Sequence, residues 1–334
     1  MRKIRILIFI LISSVAFSFP LHSLVIKIGS IAPARSPWDK AIRQVGREWK
    51  EITGGEVELK IYPGGIVGGE GDMIRKMRLG TLGGAVLSNR GLKKIYSDIY
   101  VLNIPFLIRT DGELLYVLDK MKPVFEGNIK KKGFKVIIWS MAGWIHFFSK
   151  DPIIYPEDLK KHKLSYTVGE PEMEQAWKKS GYHVIPNSME DLMMSLQSGM
   201  VTAFYLTPLI AGSGQYFPLA PHMCSLKVVP LVGAIVLSEK IWDRIPEAFK
   251  EKMINSAEKR VEPLYSEVIE LENKALKTMV ANGLIINKVP DDALEKWKKA
   301  SEKGMDVLID KVFSREVYDQ VIQYINDYRR MNEK

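Results

Sequence analysis

Short β-branched runs alternate with stretches of helical spacing along nearly the whole chain, and this alternation restricts the fold more than any other feature. Residues 24–31 (LVIKIGSI) read as a first strand, and Ser36-Pro37 opens a helix with Trp38, Ile42, Val45 and Trp49 at helical spacing. Thr53-Gly54-Gly55 ends that helix, and residues 57–62 alternate as a second strand. The pattern predicts further strands at 85–87, 134–139, 163–167, 183–185 and 201–206, and an apolar run at 228–237. Helices are expected at 72–79, 111–132, 171–180 and 188–199, the last capped by Ser188. Residues 101–107, around Pro105, are expected to be extended. A helical stretch runs from Pro246 to about Ala281 with a kink expected at Pro263, and helices follow near 291–303 and 314–329. Strands alternating with helices argue for α/β architecture with largely parallel sheets. With 334 residues, no internal repeat and no flexible linker, the chain is expected to hold two interwoven domains.

The first 23 residues set the expected compartment. Arg2, Lys3 and Arg5 precede an apolar run from Ile6 to Phe19, relieved only by serines, and Pro20-Leu21-His22-Ser23 follows. A basic start, a short apolar middle and small residues near the cut make a secretory signal, with cleavage expected after Ser18 or Ser23. The run is short for a membrane span. No cysteine lies near the junction, so a lipoprotein anchor is not expected, and the mature chain is expected in the periplasm. The chain carries 48 Lys and Arg against 39 Asp and Glu, but the lysines are interspersed with acids. That is a solvated surface, and no nucleic-acid partner is expected.

Catalytic signatures are missing. The five histidines include no pair four residues apart, and there is no G-x-S-x-G elbow. The glycines of 63–71 match neither phosphate-binding pattern and are expected to turn the chain between strand and helix. Cys224, the single cysteine, is expected to be a packed residue. No cofactor, no metal site and no enzyme activity are expected.

The order of pieces resembles the substrate-binding proteins of tripartite ATP-independent periplasmic (TRAP) transporters, the DctP-like family. The resemblance is carried by Lys27-Ile28-Gly29-Ser30-Ile31-Ala32-Pro33, Ser36-Pro37-Trp38, Thr53-Gly54-Gly55-Glu56-Val57 and Ile61-Tyr62-Pro63-Gly64-Gly65. Val67-Gly68-Gly69, Met77-Arg78-Leu79-Gly80, Ile104-Pro105-Phe106-Leu107, Pro156-Glu157-Asp158-Leu159 and the stretch from Leu192 to Val201 extend it over nearly the whole mature chain. Such a resemblance implies a periplasmic-binding-protein-like clamshell: two α/β domains with mixed sheets, a hinge, and a long helix spanning both. The implied division is 24–142 plus 232–266 and 143–231 plus 267–334. It also implies a receptor that captures a small-molecule ligand and hands it to membrane permease subunits, with a periplasmic accessory protein as a further possible partner.

Three positions depart from the family pattern. The family carries an arginine that clamps the ligand carboxylate after its Pro-Glu-Asp-Leu stretch, where this chain has Lys163-Leu164-Ser165-Tyr166. A second family arginine falls at or next to Ile145, within Gly143-Trp144-Ile145-His146. The family's Val-Asp-Gly-x-Glu-Asn becomes Val201-Thr202-Ala203-Phe204-Tyr205-Leu206. The joint shift leads to the expectation of an apolar or neutral ligand, held by Trp38, Ser88, Asn89, Trp144, Ile145, His146, Ser165, Tyr166, Phe204 and Tyr205. The alternatives are a carboxylate receptor using another base, such as Arg35, Arg90 or Lys163, an exported enzyme on the same bilobal fold, and an envelope scaffold.

Overall fold

A computed structural model of the chain describes residues 23–332. The expected leader, but for Ser23, lies outside the described residues. Ten strands follow in order: β1 (Leu24–Ser30), β2 (Val57–Tyr62), β3 (Gly84–Ser88), β4 (Phe134–Ser149), β5 (Lys163–Thr167), β6 (His183–Asn187), β7 (Ala203–Leu206), β8 (His222–Cys224), β9 (Val229–Ser238) and β10 (Ile285–Asn287).

Local chemistry sets the early elements. Ser36 Oγ accepts from the Asp39 amide at 3.3 Å and Pro37 fills the first turn, so the helix Pro37–Ile52 starts where expected. Gly64, Gly65 and Gly68 take positive φ and turn the chain from β2 into the helix Glu70–Arg78. That turn returns Glu70 to β3, where the Ser88 hydroxyl donates to its carboxylate at 3.0 Å. Residues 97–103, expected in part to be extended, form a 3-10 helix instead.

The strands lie in the order β2-β1-β3-β9-β4-β7-β5-β6, with β8 on β4 and β10 on β8. The first lobe holds β2-β1-β3-β9 and the first part of β4, over a core that includes Ile26, Ile28, Trp49 and Leu237. The second lobe holds the end of β4 with β7, β5 and β6, over Phe148, Leu192, Phe204 and Met279. The expectation of largely parallel sheets is corrected to mixed sheets, because β9 runs antiparallel to both β3 and β4, and β4 antiparallel to β7. The chain crosses between the lobes along β4 and returns along β9, and two neighbouring strands crossing in opposite directions must pair antiparallel.

β4 is sixteen residues long, not the six expected. Residues 134–145 pair with β9 and residues 146–149 with β7. A register shift between Met141 and Trp144, with Gly143 at φ 94°, marks the crossing.

The expected kinked helix is two helices, Glu247–Glu258 and Val261–Ala281. Pro263 sits in the first turn of the second, where its missing N–H leaves no hydrogen bond unmade, so the break falls before it. Helix Val261–Ala281 packs on Pro37–Ile52, on β4 and on Pro208–Ser213, spanning both lobes. The C-terminal helix Arg315–Asn332, grouped with the second domain from the sequence, packs on Asp111–Lys131 of the first. Arg329 Nε holds Glu113 Oε1 at 2.8 Å there. Among the described residues, no helix is long and apolar enough to cross a membrane.

Candidate functional site

A cavity of about 350 Å³ opens between the lobes, a size within the range of small-ligand sites. The first lobe contributes Glu70, Ser88, Asn89, Arg90, Tyr100 and Asn103 to its wall. The second contributes Ile145, Ser165, Thr167, Trp177, Asn187 and the run Phe204 to Thr207, with Met173, Met189, Leu192 and Ile210 widening the apolar side.

The three departures from the family pattern share one wall. β4 pairs with β7 so that His146 faces Leu206 and Phe147 faces Tyr205, while β5 joins the other edge of β7 at Leu164 and Ala203. Ile145, Ser165 and Leu206 therefore reach one cavity from three adjacent strands. Ser165 Oγ accepts from Asn187 Nδ2 at 3.3 Å, and Asn187 Oδ1 accepts from Ser195 Oγ at 3.1 Å, so a neutral network stands at the arginine's place.

The cation comes from the opposite lobe. Arg90 lies in the short helix Asn89–Lys93 that follows β3, and its Nη2 donates across the cleft to Thr167 Oγ1 at 2.6 Å. Burial works against its charge, but Tyr205, Glu170, Tyr100 and Glu70 around it more than offset that, so the guanidinium is held firmly charged. Tyr100 donates to Glu170 Oε2 at 2.7 Å, a second bond across the cleft, so the two lobes are closed on each other. Burial pushes the Glu70 carboxyl up, opposed by the Ser88 amide and hydroxyl and then by Arg90 and Lys94. Among the described residues, Arg90 is the one Lys, Arg or His lining this cavity.

Of the ten residues expected at the site, Ser88, Asn89, Ile145, Ser165, Phe204 and Tyr205 line the cavity. Ser88 spends its amide and hydroxyl on Glu70, and Asn89 donates to Asn103 Oδ1. Phe204 is also core, stacked on Phe148 at 5.1 Å between centroids.

The other four lie elsewhere. On β4, where successive side chains alternate between faces, Ile145 lines the cavity and its neighbours Trp144 and His146 do not. Trp144 is buried with its indole N–H on Asp111, and Lys227 lies 4.7 Å from its ring centroid. His146 Nδ1 meets the Cys224 carbonyl at 3.1 Å, and burial pushes its imidazole down to about 4. His146 thus lies off the cavity wall and offers no bond to a ligand there. Tyr166, next to Ser165, is turned into the core with its hydroxyl on the Glu170 carbonyl. Trp38, on the first turn of its helix, does not reach the wall.

Of the three alternative bases, Arg35 and Lys163 lie outside the cavity, Lys163 bonding the Gly199 carbonyl at 3.3 Å. Sequence reasoning did not single out Glu70, Tyr100, Asn103, Thr167 or Trp177. Thr167 was within reach, being two residues beyond Ser165 on the same strand face. Trp177 Nε1 has no acceptor among the described residues. Cys224 is buried, which pushes its thiol up to about 11 and makes it unreactive. Among the described residues, no cluster of His, Cys, Asp and Glu is placed to hold a metal ion.

Two α/β lobes joined by crossing strands and closed over a cavity define a clamshell of the periplasmic-binding-protein type. The family model for DctP, bacterial extracellular solute-binding protein family 7, matches residues 28–313. The chain belongs to that family, a family of binding proteins and not of enzymes. It is similar to the 2,3-diketo-L-gulonate-binding periplasmic protein YiaO of Escherichia coli (strain K12), 24% identical over 211 residues, 63% of this chain and 64% of that one. The fold matches a TRAP periplasmic solute-binding protein of Sulfitobacter sp. NAS-14.1 with bound β-D-galacturonate, at TM-score 0.80 and 19% identity over 90% of this chain and 99% of that one. It also matches one from Sulfurospirillum deleyianum with bound succinate, at TM-score 0.76 and 20% identity over 89% and 97% of the two chains. The expected apolar ligand finds no support: it rested on one wall, and the facing lobe puts a guanidinium into the same cavity.

Proposed function

We propose that the protein is a TRAP receptor for a small hydroxylated organic acid whose carboxylate pairs with Arg90. The observation that carries this is the placement of Arg90, a charged donor held in the cavity by the opposite lobe from the one that supplies the family's clamp. Serine, threonine and asparagine side chains around it suit ligand hydroxyls. An apolar ligand would leave the remaining N–H groups of the Arg90 guanidinium without an acceptor in the closed cleft, which costs free energy. The acids carried by related proteins agree with this reading.

In this reading the leader exports the chain to the periplasm and is cleaved, and the lobes close by bending where β4 and β9 cross. The loaded receptor then docks on membrane permease subunits; a periplasmic accessory protein remains a further partner of the same proposal.

The test is thermal melting of the mature protein with D-galacturonate, 2,3-diketo-L-gulonate, D-erythronate and succinate. A ligand that binds only the native state stabilises it by about 2.7 kcal/mol at a hundredfold excess over Kd. At least one acid is expected to raise Tm, and Arg90→Gln to abolish the rise. Stabilisation by uncharged apolar compounds alone would refute the acid reading.

A further inference from the structure

We infer that Glu170 is a specificity-determining residue, which takes up one side of the Arg90 guanidinium and so selects monocarboxylates over dicarboxylates. The inference rests on the acid-receptor reading above and says which acids enter.

Glu170 is 9% exposed and sits at the start of the helix Pro171–Lys179, facing the other lobe. Its backbone is pinned, the carbonyl accepting from the Tyr166 hydroxyl and from the Glu174 amide at 3.1 Å. Its side chain is pinned as well, with Oε2 on the Tyr100 hydroxyl at 2.7 Å and Oε1 4.0 Å from Arg90 Nε. A carboxylate so placed is not free to swing aside for a ligand.

A guanidinium has five N–H groups. Glu170 Oε1 stands 4.0 Å from Nε, an ion pair without a hydrogen bond, and one Nη2 hydrogen goes to Thr167, which leaves the Nη1 end for a ligand. That end suits a single carboxylate. A second ligand carboxylate would find no other cation on the wall, since Lys93 stands outside the cavity, 4.3 Å from the Tyr100 ring centroid and 4.0 Å from Glu172. It would also meet the carboxyl of Glu70 on the wall, while Glu170, which does not itself line the cavity, adds its negative charge from the Nε side of Arg90, 4.0 Å away, and like charges in a desolvated site repel strongly. Hydroxyl groups in place of that second carboxylate meet Ser, Thr and Asn side chains without charge cost.

The experiment is isothermal titration calorimetry of the mature protein with D-erythronate and D-galacturonate as monocarboxylates and succinate as dicarboxylate. The unmodified protein is expected to bind at least one monocarboxylate tenfold or more tighter than succinate. Glu170→Gln, which keeps the shape and the bond from Tyr100, is expected to narrow that ratio at least tenfold. Glu170→Asp keeps the charge but withdraws it, and is expected to narrow the ratio by less, which also serves if Glu170→Gln does not fold. A purely structural role would weaken all three acids alike and leave the ratio alone. An unchanged ratio in Glu170→Gln, or tighter binding of succinate by the unmodified protein, overturns the inference while leaving the acid receptor standing. Binding of none of the acids by the unmodified protein or the variants overturns both.

Discussion

Glu272 on the spanning helix packs against the α-carbon of Gly143, where β4 crosses between the lobes: a β-carbon on Gly143 would overlap Glu272 Oε1. Glu272 is buried, and that oxygen has no hydrogen-bond partner among the described residues. The crossing point of the clamshell is thus a glycine in a left-handed conformation pressed against a carboxyl group.

Replacing Gly143 with alanine therefore meets two penalties, the φ of 94° and the collision with Glu272. The backbone alone costs roughly 1–3 kcal/mol, and the displaced carboxyl adds to it. Urea denaturation of Gly143→Ala is expected to show a lower midpoint and an unfolding free energy reduced by at least that amount. A variant as stable as the parent would mean that the crossing has slack that the structure does not show.

Burial pushes the Glu272 carboxyl up to about 7; Lys227 opposes the shift and Asp111 adds to it. The folded state thus holds a proton that the unfolded chain releases near 4.5, its ordinary value. The stability from this group is complete below about pH 4.5 and is lost as the pH rises to about 7, a swing on the order of 3 kcal/mol. Glu272→Gln, neutral throughout, is expected to be more stable than the parent at pH 8 and to lose that advantage at pH 4.5. An advantage of equal size at both pH values would point to packing rather than protonation.

His146 works in the opposite direction. Its folded value of about 4 lies below the ordinary 6.5, so stability is complete above 6.5 and falls as the pH drops toward 4. Proton NMR of the folded protein is expected to show the His146 ring still neutral at pH 5. A midpoint near 6.5 would mean that the ring is far more open to solvent than its place beside Cys224 implies.

Trp144, buried and off the cavity wall, is expected to matter for stability and not for the ligand. Trp144→Phe removes a donor from Asp111, which also holds the Tyr265 hydroxyl and Lys227. The expected cost is about 1–3 kcal/mol, with ligand affinity by calorimetry within twofold of the parent. A tenfold loss of affinity at unchanged stability would put Trp144 back at the site.

What can be read from the chain alone is what a few neighbouring residues decide among themselves. Ser36-Pro37 caps and starts its helix, the glycines after Tyr62 turn the backbone, and alternation marks β2 and β5. The family pattern even locates the second lobe's wall, since Ile145, Ser165 and Leu206 depart from it together. Tertiary packing decided the rest. β4 continues past Gly143 because β9 pairs with it across the crossing, a partner ninety residues away that no local rule supplies. The register of that strand turns Ile145 to the cavity and Trp144 and His146 away from it. Arg35, Arg90 and Lys163 are equally basic in the sequence, yet only Arg90 is carried by a short helix into a closed cleft, where Thr167 and Glu170 of the other lobe meet it. A charge acquires its meaning from the desolvated groups around it, and those are brought together only by the fold.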